Sequence, residues 1–157
     1  MLMTTLCREL DDIVQVSLPL IANRHCCDLL FADAERAAAL ADWSLCSSIV
    51  ARFADALRRR ICGEECVLFP ALVRTVSGMS LPVRRMHCEH VRLAVLLGRL
   101  QSALGDKNGE AFLASCEDFL ALLRHHMARE EEVLYAIAEQ AWIARRSAIT
   151  ARMVEPP

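Results

Sequence analysis

Glu64, His90, His126 and Glu130 are ionisable residues set in apolar stripes, at positions where a helix would turn them inward. Imidazole offers a lone-pair nitrogen and carboxylate an anionic oxygen, donor types that hold metal ions. One buried His or Glu on one helix is a tolerated polar residue. On three antiparallel neighbours such residues meet at one level of a bundle core, and the usual reason for such a meeting is a metal ion.

Apolar residues on the buried face of a helix recur at steps of three and four, so each stripe can be followed position by position. Beyond Pro82 the third helix reads Val83, Met86, His90, Leu93, Leu97, Leu100, Leu104, with His90 the only polar member. The fourth reads Phe112, Cys116, Phe119, Leu123, His126, Glu130, Val133, Ile137, which turns His126 and Glu130 inward one turn apart. The register through His125 (Asp118, Leu122, His125, Arg129, Glu132) reads as solvated, and His87 is assigned to the surface as well. On the second helix the stripe is Cys46, Val50, Phe53, Leu57, Arg60, Glu64, Val67, Ala71, so an arginine and a glutamate stand four apart on the core face.

The elements that position these residues are helical. Ala and Leu dominate, Gly and Pro number five each, and no strand pattern stands out. A chain of 157 residues makes one domain, residues 1–157. A first helical region is expected from about Thr5 to Leu40, with Pro19 as a kink or as its start, and a second from about Trp43 to Val76, stopped at Ser77-Gly78. Ser80-Leu81-Pro82 opens the third, with Ser80 as cap. The turn Gly105-Asp106-Lys107-Asn108-Gly109 leads to a fourth ending near Gln140, and Trp142 to Met153 adds a further short helix. Short links imply antiparallel neighbours. The fold class expected is therefore all-α, an up-down-up-down four-helix bundle with a short C-terminal helical extension.

A formal charge of -2 with mixed signs leaves no nucleic-acid footprint. The N-terminus lacks a signal-peptide pattern and no apolar run is long enough to span a bilayer, so the expected partners include neither nucleic acid nor membrane and the expected location is cytoplasmic. The eight cysteines sit inside helical patterns without paired zinc-ribbon spacing, and most read as reduced, small core residues. A sulfur ligand or redox role for Cys62, Cys66 and Cys88 stands against the ordinary packing preference of cysteine.

The run Glu64-Glu65-Cys66-Val67-Leu68-Phe69-Pro70 is echoed by Glu130-Glu131-Glu132-Val133-Leu134-Tyr135-Ala136. With the Met86-to-His90 run (M-x-x-E-H), the His126-to-Tyr135 run (H-x-x-x-E-E-x-x-L-Y) and Cys27-Asp28-Leu29-Leu30-Phe31-Ala32, these motifs make the chain resemble the hemerythrin-like, or HHE cation-binding, family over nearly its whole length. The resemblance implies a di-iron centre in a four-helix bundle, with carboxylates of the second and fourth helices bridging the metals and histidines of all four helices completing the site. Carried across residue by residue, Glu64 and Glu130 resemble the bridging carboxylates, and His90 and His126 the ligands of one metal.

The departures fall on the other metal. Arg60 stands where the resemblance implies a histidine four residues before Glu64, and Arg24 stands at the first-helix histidine position, with His25 one residue off. Two first-helix stripes are open: Val14, Leu18, Ile21, His25, Leu29, Ala32, or Leu10, Ile13, Leu20, Arg24, Cys27, Phe31. His25 thus joins Glu64, His90, His126 and Glu130 as a candidate metal ligand. A guanidinium has no lone pair to donate, but it can supply positive charge to buried carboxylates. The iron content is therefore one ion, two, or none, with one favoured over two. The leading function is a binding or sensing module for oxygen, nitric oxide or iron, with a small diatomic molecule as ligand and a homodimer as an admitted assembly. The alternative is a metal-free scaffold or regulator in which Arg60 and Arg24 replace metal charge. An enzyme, such as a di-iron oxidase or an iron-sulfur repair protein, ranks third, because missing ligands impair two-metal redox chemistry.

Overall fold

A computed structural model describes the backbone of residues 24–154 and the side chains of residues 29–133, Ala136 and Ile137. The described elements are α1 (Arg24–Ala39), α2 (Trp43–Gly63), a π-helical turn (Glu64–Leu68), α3 (Phe69–Thr75), α4 (Ser80–Gly105) and α5 (Gly109–Val154). Because α2, the π turn and α3 run on without a break, the described residues form four helical rods and no strand.

Two of the three links use the same device. Ala41 (φ 55°) and Lys107 (φ 53°) take left-handed conformations, and the next N–H groups return to the ending helix, Asp42 to Ala37 O at 2.9 Å and Asn108 to Ala103 O at 3.0 Å. The same two residues then cap the following helix. Asp42 Oδ1 accepts from Leu45 N–H and Asn108 Oδ1 from Ala111 N–H, each at 3.0 Å. Ser80 does not cap α4 as expected: Met79 already has helical dihedrals, so Ser80 lies inside the first turn and no side chain caps that end. The separate helix expected after Gln140 is also corrected. No Gly or Pro interrupts the chain between Gly109 and Val154, and α5 runs through as one helix of 46 residues.

Helix α1 packs on α2 and α5, and α4 packs on α5 and α2, so the rods close a ring. On α1, Phe31, Ala34 and Ala38 are buried while Leu29 and Ala32 face solvent, which favours the stripe ending at Phe31 over the one ending at Ala32. The core falls into two storeys. The larger holds Phe31, Phe53 and Phe119, with ring centroids 4.6 to 5.6 Å apart, beside Leu57, Leu93 and Leu123. The smaller holds Leu68, Phe69, Leu72, Val83, Met86 and Ile137. Between them on every rod that crosses lie polar residues: Arg60 and Glu64, then Glu89 and His90, then His126 and Glu130.

The π turn has an identifiable cause. Pro70 has no N–H to return to Cys66, and in a regular α-helix its ring would strike that carbonyl. Widening the preceding turn, with Phe69 N–H bonded to Glu64 O, makes room. The widened turn absorbs one extra residue and shifts the buried face by one. Val67 is consequently 55% exposed and Leu68 1%, and Leu72 replaces Ala71 in the core, correcting the lower part of the second stripe.

Candidate metal centre

Glu64 opens the π turn, His90 sits mid-way along α4 and His126 mid-way along α5; all three are buried. Nε2 of His90 lies 3.2 Å from Nε2 of His126 and 2.9 Å from Oε2 of Glu64, and the third side of the triangle, His126 Nε2 to Glu64 Oε2, is 3.6 Å. Donors bound at about 2.1 Å to one ion stand roughly 3.0 Å apart at a right angle and about 3.4 Å apart at the tetrahedral angle. The triangle has the dimensions of three ligands around one ion.

The far side of each ring fixes which nitrogen carries hydrogen. His90 Nδ1 donates to Glu65 Oε1 at 2.7 Å, and His126 Nδ1 donates to Glu89 Oε2 at 3.0 Å. Glu89 is itself held by Arg129. Carboxylates at Nδ1 leave the Nε2 lone pairs pointing into the triangle, the outer-shell arrangement of metal-ligating histidine. Phe69, stacked on His90 with centroids 5.5 Å apart, sets the plane of that ring.

Three lone-pair atoms therefore converge with no hydrogen between neutral rings, an arrangement that requires a cation. Buried Glu130 Oε1 has no hydrogen-bond partner, and Glu64 Oε2 has only the two imidazole Nε2 atoms beside it. Without a metal, a proton serves. Burial lowers the His90 pKa, but hydrogen bonds and charge from Glu64 and Glu65 more than reverse this and raise it above its ordinary value. Burial likewise acts to raise Glu64, and His126, His90 and Arg60 overcome it, holding that carboxyl well below the usual range.

Arg60 lies inward, its side chain 9% exposed, with Nε donating to Glu64 Oε1 at 2.7 Å and Nη2 bonded to Glu130 Oε2. It ties together the two carboxylates that resemble metal bridges. Glu130 accordingly sits at the level of the site but outside the Glu64-His90-His126 triangle. Its pKa is raised, by burial first and by the Glu64 charge second, with Arg60 offsetting part of the rise. Around the centre, Glu64, Glu65, Glu89 and Glu130 face the guanidinium groups of Arg60 and Arg129.

Of the candidate ligands, Glu64, His90 and His126 come together, Glu130 joins through Arg60, and the His25 side chain lies outside the described residues, as does that of Arg24. His125 is exposed as expected. His87 is not simply a surface residue: it is half-buried, edge-on to Phe69 and 3.1 Å from Glu65. The residues that sequence reasoning missed are Glu65, Glu89 and Arg129. Glu65 and Glu89 were visible as members of the quoted motifs, each adjacent to a ligand in sequence. The cysteine expectation is corrected in part. Cys46 and Cys116 are buried, whereas Cys62, Cys66 and Cys88 occupy outward positions; all five are free thiols.

Fold and site together define an all-helical bundle domain with a His/Glu candidate metal centre between two apolar storeys. The hemerythrin HHE cation-binding domain model matches residues 22–138, and the chain belongs to that family. Comparison with curated proteins and with solved structures returned no match.

Proposed function

We propose that this domain binds a single metal ion, iron by its donor set, through Glu64, His90 and His126, with the Arg60 guanidinium in place of a second ion. The observation that carries the reading is the triangle of donor atoms 2.9 to 3.6 Å apart, with a carboxylate at Nδ1 of each ring. Two imidazoles and one carboxylate form the donor set of non-haem iron(II) sites that keep open positions. When bound, the ion supplies Lewis acidity and one-electron chemistry to a small ligand such as oxygen or nitric oxide.

The chain's own residues prepare that site. Glu65 and Glu89 hold the rings in one tautomer, and Phe69 with the two apolar storeys keeps bulk water away. Arg60 offsets one of the two charges of the carboxylate pair, which favours binding or sensing by one metal over paired-metal oxidation. The Arg60 bridge also gives weight to a second reading, a metal-free regulator in which that network is the whole of the site. Metal analysis of wild-type protein and the His126→Ala variant separates the two. The first reading expects one ion per chain, lost in the variant; the second expects none in either.

A further inference from the structure

The outward side of the same turn carries a pair of thiols that the metal reading leaves unused. Cys62 Sγ and Cys66 Sγ lie 3.7 Å apart and both are exposed. Along an α-helix four residues rise about 6 Å, toward the long end of the Cα separations of roughly 4.4–6.8 Å that a disulfide spans. Cys66 lies within the π turn, where more residues share each turn and each contributes less rise, so it is drawn back toward Cys62. The sulfurs are in van der Waals contact, and closing the bond has to bring the Cβ atoms from the roughly 5–6 Å usual at this spacing to about 3.5–4.5 Å, a movement that falls on the irregular turn.

We propose that Cys62 and Cys66 are a redox-active dithiol, closing to a reversible intrahelical disulfide by exchange with a low-molecular-weight disulfide such as oxidised glutathione. One protein thiolate attacks a sulfur of the oxidant, its S–S bond breaks, and one thiol leaves, giving a mixed disulfide. The second cysteine's thiolate attacks the protein sulfur of that mixed disulfide and expels the second thiol. Two electrons pass from the dithiol to the oxidant, whose two sulfurs depart with the two protons.

Cys62 and Cys66 bracket Glu64 and Glu65 in sequence, so closing the bond draws in the turn that presents a candidate ligand and the carboxylate holding His90 Nδ1. Disturbing an outer-shell partner lowers metal affinity by about 10–100-fold. This coupling rests on the metal reading above; the disulfide itself does not.

The test is to incubate the full-length reduced protein in glutathione redox buffers, trap thiols with a maleimide, and map the products by mass spectrometry. The expected result is loss of two thiols as a Cys62–Cys66 cross-link, unchanged by Cys88→Ser, whereas Cys62→Ser and Cys66→Ser each stop at a stable mixed disulfide. A persistent mixed disulfide in the wild type, or cross-linking to Cys88 instead, overturns the assignment. Metal affinity of the cross-linked protein should fall at least tenfold relative to the reduced form and stay unchanged by oxidant in Cys62→Ser. Equal affinities would overturn the coupling and leave the disulfide standing. A reduced protein that binds no metal would overturn the metal reading alone.

Discussion

Replacing Arg60 with Met keeps an aliphatic stem in the core while removing the charge that joins Glu64 to Glu130. Glu64 retains its two imidazoles, so the group left most exposed to the loss is Glu130, whose carboxyl burial and Glu64 already push upward. The cheapest response is for Glu130 to take up a proton. From its ordinary value of 4.5 that costs at pH 7 about 2.5 pH units at about 1.4 kcal/mol each, or about 3.4 kcal/mol. This lies within the range of about 3–5 kcal/mol for breaking a buried ion pair. The sign follows from a carboxyl whose folded pKa exceeds its unfolded one: the penalty is full well above the unfolded pKa and fades as pH falls toward it. By pH 5 the same arithmetic leaves about 0.7 kcal/mol. Thermal unfolding of chelator-treated protein, followed by circular dichroism, should show Arg60→Met melting roughly 7–14 °C below wild type at pH 7, with most of that gap closed at pH 5. A deficit under about 1 kcal/mol at pH 7, or one unchanged at pH 5, would refute the reasoning.

Arg60→His places a donor at His-x-x-x-Glu spacing and should raise bound iron above one ion per chain, fully so only with Arg24→His; unchanged stoichiometry in the double variant would contradict this. His90→Ala and His126→Ala should each abolish metal binding by equilibrium dialysis, while His87→Ala and His125→Ala keep it, and Glu89→Gln should weaken it by about 10–100-fold; equal losses in all of them would show that the faces are wrongly assigned. In the metal-free protein the His90 pKa, lowered by burial but carried above 6.5 by Glu64 and Glu65, makes its stabilising contribution complete below pH 6.5 and lost as pH rises through the folded value. Metal affinity should climb across that same window with release of protons, and calorimetry in buffers of different ionisation enthalpy would expose the error by finding none released.

The stripes on α4 and α5 were legible because each helix is regular: Val83, Met86, His90, Leu93, Leu97, Leu100 and Leu104 are all buried, and so are Phe112, Cys116, Phe119, Leu123, His126, Glu130 and Ile137. The second stripe could be followed only as far as Glu64. Beyond it the extra residue of the π turn rotates Leu68 and Leu72 inward, and the signal for that was Pro70, a residue that cannot sit in an unbroken helix without local rearrangement. Arg60 announced itself by its place among Phe53 and Leu57, yet nothing in a single stripe could show that its far end reaches Glu130, seventy positions away. Glu65 and Glu89 stood in the quoted motifs, but their role was hidden for a different reason. Each flanks an apolar stripe, and its partner is a histidine on a neighbouring rod that no single stripe can show.

The central claim is one metal ion held by two imidazoles and one carboxylate, with a guanidinium where a second ion would lie. Metal analysis by mass spectrometry of protein purified anaerobically and reconstituted with iron(II) tests it most directly. One ion per chain is expected, retained through gel filtration and absent from His126→Ala. Two ions per wild-type chain, or none after reconstitution, would contradict it.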